Sequence, residues 1–309
     1  MNRSGGSSVS EEVLLTGCTG IVGRSIVRSL LDKGYSVTAY LLDIPSTDAF
    51  HQDFKEVRIV RGTLDEIDLH KAELGHPTAV FHLAWAGTTS TDRMDETLQE
   101  KNYHWSMKTL DVAVSLGAKT FLFSGSQAEY GRVGDTQEEI EDGPAEPFSA
   151  YGKEKKHFGE DGQAYSSLHG IRFVHGRIFS VYGPHDRPNS LISSLAEAER
   201  NGKKVMLGPC THLWNFTHED DIGELFVEAL ENGNAEGIIN MVSPDTRPLK
   251  DFVVSSFGEN SYEFGTVNPN PEGLVCLRPS LTKVKRLFPL HRFRRFEEEI
   301  AKMKKEKAQ

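Results

Sequence analysis

Val13-Leu-Leu-Thr-Gly-Cys-Thr-Gly-Ile-Val-Gly23 is the stretch on which the reading of the whole chain turns. Val13 to Leu15 are apolar without alternation, the pattern of a parallel strand covered on both faces. Glycines then end it. Gly17, Gly20 and Gly23 repeat as G-x-x-G-x-x-G, a variant of the G-x-G-x-x-G spacing with the same mechanics. One glycine turns the chain, one lets backbone N–H groups approach a pyrophosphate, and one lets the next helix lie close to the sheet. From Ile21 to Lys33, the residues Ile21, Ile26, Leu30 and Leu31 fall near helical spacing, and the start of such a helix favours phosphate. A second apolar run at Ser36 to Leu42 completes a strand, glycine turn, helix and strand, the floor of a dinucleotide site.

Outward from that unit the alternation continues. Strands are expected at Val57 to Val60, Ala79 to Leu83, Thr120 to Phe123 and Arg172 to Ile178, with helices near Glu66 to Glu73, Thr91 to Leu116 and Ala150 to Leu168. Such a series predicts an α/β fold, a Rossmann-like doubly wound parallel sheet. After about Tyr182 the order is less regular, with a helix at Glu219 to Leu230, a strand at Gly237 to Val242 and charged helices at the end. The expected organisation is a leader at 1–10, a dinucleotide-binding domain at 11–181, and a smaller C-terminal substrate-binding lobe at 182–309 with segments returning to the sheet.

Composition narrows the setting. A net charge of -10 over 309 residues argues against nucleic-acid binding, so a nucleotide ligand needs a local basic pocket. Three cysteines without a C-x-x-C pair indicate neither a disulfide framework nor a zinc site, and no metal is expected. A reducing cytoplasm is the simplest location. No apolar run is long enough for a membrane span. Glu219, Asp220 and Asp221 read as acids in the first turn of a helix, matched to its dipole, and Cys18 as a small residue in a tight turn. Lys302 to Gln309 read as a solvated basic helix end. Asp43 has two readings: an acid hydrogen-bonding the adenine ribose of NAD and repelling the extra phosphate of NADP, or the first residue of the Asp43-Ile-Pro45-Ser loop. The cofactor is thus NAD or NADP, with NAD favoured.

Chemistry concentrates in Phe121-Leu-Phe-Ser-Gly-Ser-Gln-Ala-Glu-Tyr-Gly131 and in Ala150-Tyr-Gly-Lys-Glu-Lys155. Tyr151 and Lys155 stand four apart on an expected helix and share a face. An ammonium beside a phenol favours the phenolate, which makes tyrosine usable as an acid or base near neutrality.

Thr16-Gly-x-x-Gly-x-x-Gly23, Phe81-His-Leu-Ala84, Asn102, Ser126, Tyr151-x-x-x-Lys155 and Arg177-x-x-x-x-Tyr182-Gly-Pro184 together resemble the extended short-chain dehydrogenase/reductase family, in particular its nucleotide-sugar epimerases, dehydratases and ketoreductases. The likeness runs from about Val13 to Leu287. It implies that Tyr151 exchanges the proton on a sugar oxygen, Ser126 hydrogen-bonds that oxygen, and Lys155 binds the nicotinamide ribose and tunes Tyr151. It further implies cofactor contacts from Gly17, Thr19, Gly20, Ile21, Val22, Gly23, Asp43, Leu64, Leu83, Ala84, Ala86, Ser124 and Phe179. Substrate contacts would come from Gln127, Ser180, His185, Trp214 and Arg278, the last on the diphosphate. Asn102 and His82 are expected to be structural. A homodimer through the helices at Thr91 to Leu116 and Ala150 to Leu168 follows by the same analogy.

Departures from the family pattern narrow the reaction. Dehydratases place an Asp-Glu pair where this chain has Gln127 and Ala128, which argues against elimination of water. His185, in Tyr182-Gly-Pro-His-Asp186, resembles the histidine of GDP-fucose synthases and could serve as a second acid. These features tilt the reading toward a 4-ketoreductase of a nucleotide-diphosphate sugar. A 4-epimerase with retained NAD, a reductase of a small aromatic aldehyde or ketone (on Trp85 and Trp214), and a dinucleotide sensor without turnover are the alternatives.

Overall fold

A computed structural model describes residues 11–134, 137–266 and 275–306. The leader expected at 1–10 lies outside the described residues.

Strand β1 (Glu12–Thr16) is buried on both faces: Val13 and Leu15 enter one apolar cluster and Leu14 the other, which is why the run shows no alternation. Helix α1 (Ile21–Asp32), β2 (Ser36–Leu41), α2 (Pro45–Asp53) and β3 (Arg58–Arg61) follow. A 3-10 turn at Leu64–His70 leads into α3 (Lys71–Leu74), then come β4 (Ala79–His82), α4 (Glu96–Ser115), β5 (Thr120–Ser126), α5 (Ala150–His169) and β6 (Arg172–Ile178). Asp95 fixes the start of α4 by accepting from Leu98 N at 3.0 Å, so the helix begins five residues later than its apolar pattern.

The remaining elements are β7 (Ser180–Tyr182), α6 (Leu191–Asn201), β8 (Val205–Leu207), β9 (Leu213–His218), α7 (Glu219–Glu231), β10 (Gly237–Met241), β11 (Thr246–Pro248), α8 (Leu249–Ser256), β12 (Tyr262–Phe264), α9 (Thr282–Leu287) and α10 (Phe296–Glu306). Seven strands form one sheet in the order β10-β6-β5-β4-β1-β2-β3, every pair parallel. The order reverses between β1 and β4, so the crevice for a ligand opens beyond their C-terminal ends. A three-stranded sheet, β11-β9-β7, and a two-stranded one, β12-β8, belong to the second lobe. Its core gathers Tyr182, Phe216, Phe252 and Phe296.

Two segments of the second half rejoin the first. Strand β10 pairs with β6, and α7 packs along α1 through close contact of Gly223 with Ser25. The Asp43-Ile-Pro45-Ser stretch is helical from Pro45 onward, because proline at a first helical position loses no hydrogen bond. Helix α6 escapes the sequence reading, although Ser190 caps it and Gly202 ends it in a left-handed conformation. Among the described residues no helix is long and apolar enough to cross a membrane.

Candidate active site

The glycine turn is built to admit no side chain. Gly17 has φ +75°, and a Cβ there would meet the backbone of Leu83 and Ala84. One on Gly23 would meet the Gly17 carbonyl and Cys18, whereas Gly20 faces open space, with its nearest atom 3.9 Å away. Gly20 caps α1 without a side chain, and the first turn holds no acid. The N–H groups of Ile21, Val22 and Gly23 are therefore left to an anion. Thr19 lies half-buried beside this opening. The cradle fits the pyrophosphate of a dinucleotide. Cys18 is fully buried, and burial pushes its thiol far above the ordinary range, so it serves packing.

The loop after β4 forms the facing wall. His82 hydrogen-bonds Thr16 Oγ1 through Nδ1 at 2.8 Å and Ser106 Oγ through Nε2 at 2.9 Å. Burial, with the charge of Lys155 behind it, lowers its pKa to about 3, so the ring is neutral. Ala84 N donates to Thr16 Oγ1 at 3.4 Å, and Asn102 clasps Ala86, accepting from its N–H at 2.8 Å and donating to its carbonyl at 2.9 Å. Leu83 and Ala84 stay half-buried and Ala86 exposed along this wall. Gln99 continues it, donating to the Gly87 and Asp92 carbonyls and accepting from Trp85 Nε1 at 2.7 Å.

Ser126 ends β5, and α5 begins at Ser149, whose hydroxyl accepts from Gly152 N at 3.1 Å, which sets Tyr151 and Lys155 on the first turns. The Tyr151 phenol lies near enough to Ser126 to feel its side chain. Trp85 meets the phenol ring edge-on at 6.0 Å, and the Arg93 guanidinium lies 4.8 Å from its centre. Burial raises the Tyr151 pKa above that of a free phenol, against the pull of Ser126, Arg93 and Arg187. Lys155 is buried, donates to the Ser124 carbonyl at 2.6 Å and stands 4.1 Å from the Trp85 ring. Burial lowers its pKa to about 7. The sequence leads one to expect the Lys155 ammonium to draw Tyr151 down. In the structure Lys155 is committed to Ser124, and the arginines of the neighbouring loops supply the cationic pull.

Beside this group, Gln127 has a buried amide oxygen with no protein partner among the described residues. Glu129 turns inward and is completely buried. Leu64 starts the 3-10 turn after β3, and Phe179 is buried against Tyr130 between β6 and β7, which opens with Ser180. Asp43 is exposed and ion-paired to Arg61 at 2.5 Å, and Arg61 also holds Asp48. His185 contacts buried Glu219 through Nδ1 at 2.5 Å, while Glu219 takes Arg28 of α1 at 2.8 Å. Arg278 and Trp214 belong to a second grouping. The Arg278 N–H donates to Glu139 at 2.8 Å, its side chain borders a cavity of about 490 Å³ with Leu213, Thr246 and Lys285, and Trp214 follows Leu213 on β9. Sequence reasoning missed Arg93, Arg187 and the acid–base clasp of Asp221, Glu224, His291 and Arg294. The cations of that clasp arrive from a segment seventy residues away with no motif of its own.

A glycine cradle at a helix start and a Ser–Tyr–Lys group at the crevice of a parallel sheet define an oxidoreductase of the short-chain type. The chain belongs to the NAD dependent epimerase/dehydratase family, whose model matches residues 13–241, and it is an NAD-dependent enzyme. It is 26% identical over 230 residues to a probable UDP-glucuronate 4-epimerase of Rhizobium meliloti, a match spanning 69% of this chain and 66% of that protein. Among solved structures, MoeE5 in complex with UDP-glucuronic acid and NAD aligns with TM-score 0.81 and 21% identity over 96% of this chain and 99% of that one. The UDP-glucose 4-epimerase of Thermotoga maritima with UDP-glucose aligns with TM-score 0.82 and 20% identity, covering 95% and 97%.

Proposed function

We propose that the protein carries out redox chemistry at C4 of a nucleotide-diphosphate sugar, with net inversion at that carbon. The observation that carries this reading is the buried Tyr151 phenol set beside Ser126 and against Trp85 and Arg93. The names of the similar proteins, two of them 4-epimerases, support the same choice.

NAD, held by Gly17 to Gly23, the Leu83 to Ala86 loop and Lys155, supplies hydride exchange at the sugar carbon. Tyr151 takes the C4 hydroxyl proton as the carbon is oxidised and returns it on reduction. Ser126 donates to the same oxygen and steadies the charge that develops on it. Trp85 covers one edge of the phenol ring. Gln127 Oε1 is free to accept from a sugar hydroxyl, and Arg278 with Lys285 offers positive charge to the diphosphate. Water elimination is not proposed, since Gln127 and Ala128 carry no acid and Glu129 is withdrawn.

Reduction of a 4-keto sugar with release of the oxidised cofactor is the second reading. Burial keeps Tyr151 protonated, which poises it to donate. Incubating the protein with a panel of nucleotide sugars, with and without added NADH, separates the two. Inversion yields the 4-epimer with no net change in nicotinamide absorbance, and reduction consumes NADH in proportion to product. No turnover of any nucleotide sugar would reject both.

We also propose a homodimer through α4 and α5. These helices lie side by side through a Tyr103–His157 stack at 4.2 Å and a Tyr165–Asp111 hydrogen bond at 2.7 Å, and they leave Leu168 84% exposed. A monomeric mass in solution would refute this.

A further inference from the structure

Behind Ser126 lies a charged cluster that the proposed reaction does not use. Glu129 is completely buried, as are His175 and Arg177 of β6. Its Oε1 accepts from Ser126 N at 2.8 Å and faces His175 Nε2 at 3.0 Å, and its Oε2 accepts from Arg177 Nε at 2.7 Å. Ser126 returns the contact, its hydroxyl accepting from Ala128 N at 3.2 Å, so Ser126 and Glu129 cap one short turn reciprocally. A capping glutamate ordinarily stays in solvent. Burying one beside a guanidinium and an imidazole is costly unless the geometry is good, and a neutral residue would fill the same space without that penalty.

The surrounding chain makes room for this arrangement. A Cβ on Gly125 of β5 or on Gly159 of α5 would run into the His175 ring. The Arg177 guanidinium lies 4.3 Å from the Tyr130 ring centre, and Tyr130 donates to Asn240 at 2.7 Å. Asn240 in turn donates to the carbonyl of Glu139 at 2.9 Å, the residue that holds the Arg278 backbone. The cluster thus ties the end of β5 to β6, β10 and the second lobe.

We propose that Glu129, clamped by His175 and Arg177, is the positioning residue of the reaction: it grips the Ser126 backbone so that the Ser126 hydroxyl is presented to Tyr151. The inference rests on the redox reading above. Its negative charge also reaches the pair it serves, raising the proton affinity of both Tyr151 and Lys155. The other groups facing Tyr151 are Ser126, Arg93, Arg187 and, from its own helix, Lys155.

The test uses the full chain loaded with NAD. The Tyr151 titration is read as the tyrosinate absorbance that Tyr151→Phe removes. Glu129→Gln should move this titration down by about one pH unit and lower kcat about tenfold or more with KM within about twofold. Glu129→Asp keeps the charge but shortens the arm, so it should leave the titration in place and still lower kcat. A folded Glu129→Gln protein with an unmoved titration and kcat within about twofold overturns the proposal. Should that variant not fold, His175→Gln, which keeps a donor to the carboxylate, should retain kcat within about threefold while His175→Leu loses about tenfold; equal behaviour of the two overturns it. Where wild-type protein turns over no nucleotide sugar, the redox reading fails, and the titration still decides the role of Glu129.

Discussion

Replacing His291 by Gln should cost stability in acid and almost none in base. The His291 side chain is buried in the segment between α9 and α10, with Nδ1 2.8 Å from Glu228 and Nε2 3.7 Å from Asp221, both on α7. Arg294 of the same segment pairs with Asp221 at 2.6 Å and Glu224 at 2.7 Å. Burial opposes the imidazolium, but the nearby carboxylates of Asp221 and Glu228, the latter hydrogen-bonded to Nδ1, outweigh it and raise the pKa from 6.5 to about 9. A folded pKa above the unfolded one gives stability that is fully present below about pH 6.5 and is lost as pH rises through about 9. That difference is worth about 3 kcal/mol, or about 5 °C in Tm for a chain of this size. Urea unfolding of wild type and His291→Gln at pH 6 and pH 10 measures it. Taking the gap between the two proteins removes groups common to both. A gap near 3 kcal/mol at pH 6 that closes at pH 10 is expected, and an equal gap at both pH values would refute the reasoning.

Tyr151→Phe should lower turnover about a hundredfold or more while dinucleotide affinity, read by fluorescence titration, stays within about twofold; a sensor without turnover would be indifferent. Gly17→Ala should abolish that affinity and destabilise the fold by roughly 2–3 kcal/mol, since both the positive φ and the Leu83–Ala84 backbone exclude a methyl group; a melt and a calorimetric titration check both. His185→Gln should reduce thermal stability through the lost contact to Glu219, and steady-state kinetics with unchanged kcat would remove His185 from the chemistry.

The glycine turn, the strand and helix alternation and the shared face of Tyr151 and Lys155 were legible because each depends on near neighbours in sequence. Close approach at Gly17 and Gly23 demands glycine, and a shared helix face demands the four-residue spacing of Tyr151 and Lys155. Strand β10 was legible as a strand, but its partner β6 is set by tertiary packing. The expected fall in the proton affinity of Tyr151 is reversed by burial, which no four-residue spacing reveals. Glu129 carried a signal after all: Ser126-x-x-Glu129 is a capping box. What the spacing could not say was that the box would be sealed in the interior by His175 and Arg177.

The His175 ring fills the space that side chains on Gly125 and Gly159 would need. A strand, a helix and the neighbouring strand therefore share a single allotment of volume. Genetic drift at any of the three positions is coupled to the other two: an alanine at 125 or 159 becomes tolerable only in a lineage that has already given up the imidazole, and with it one of the two grips on Glu129.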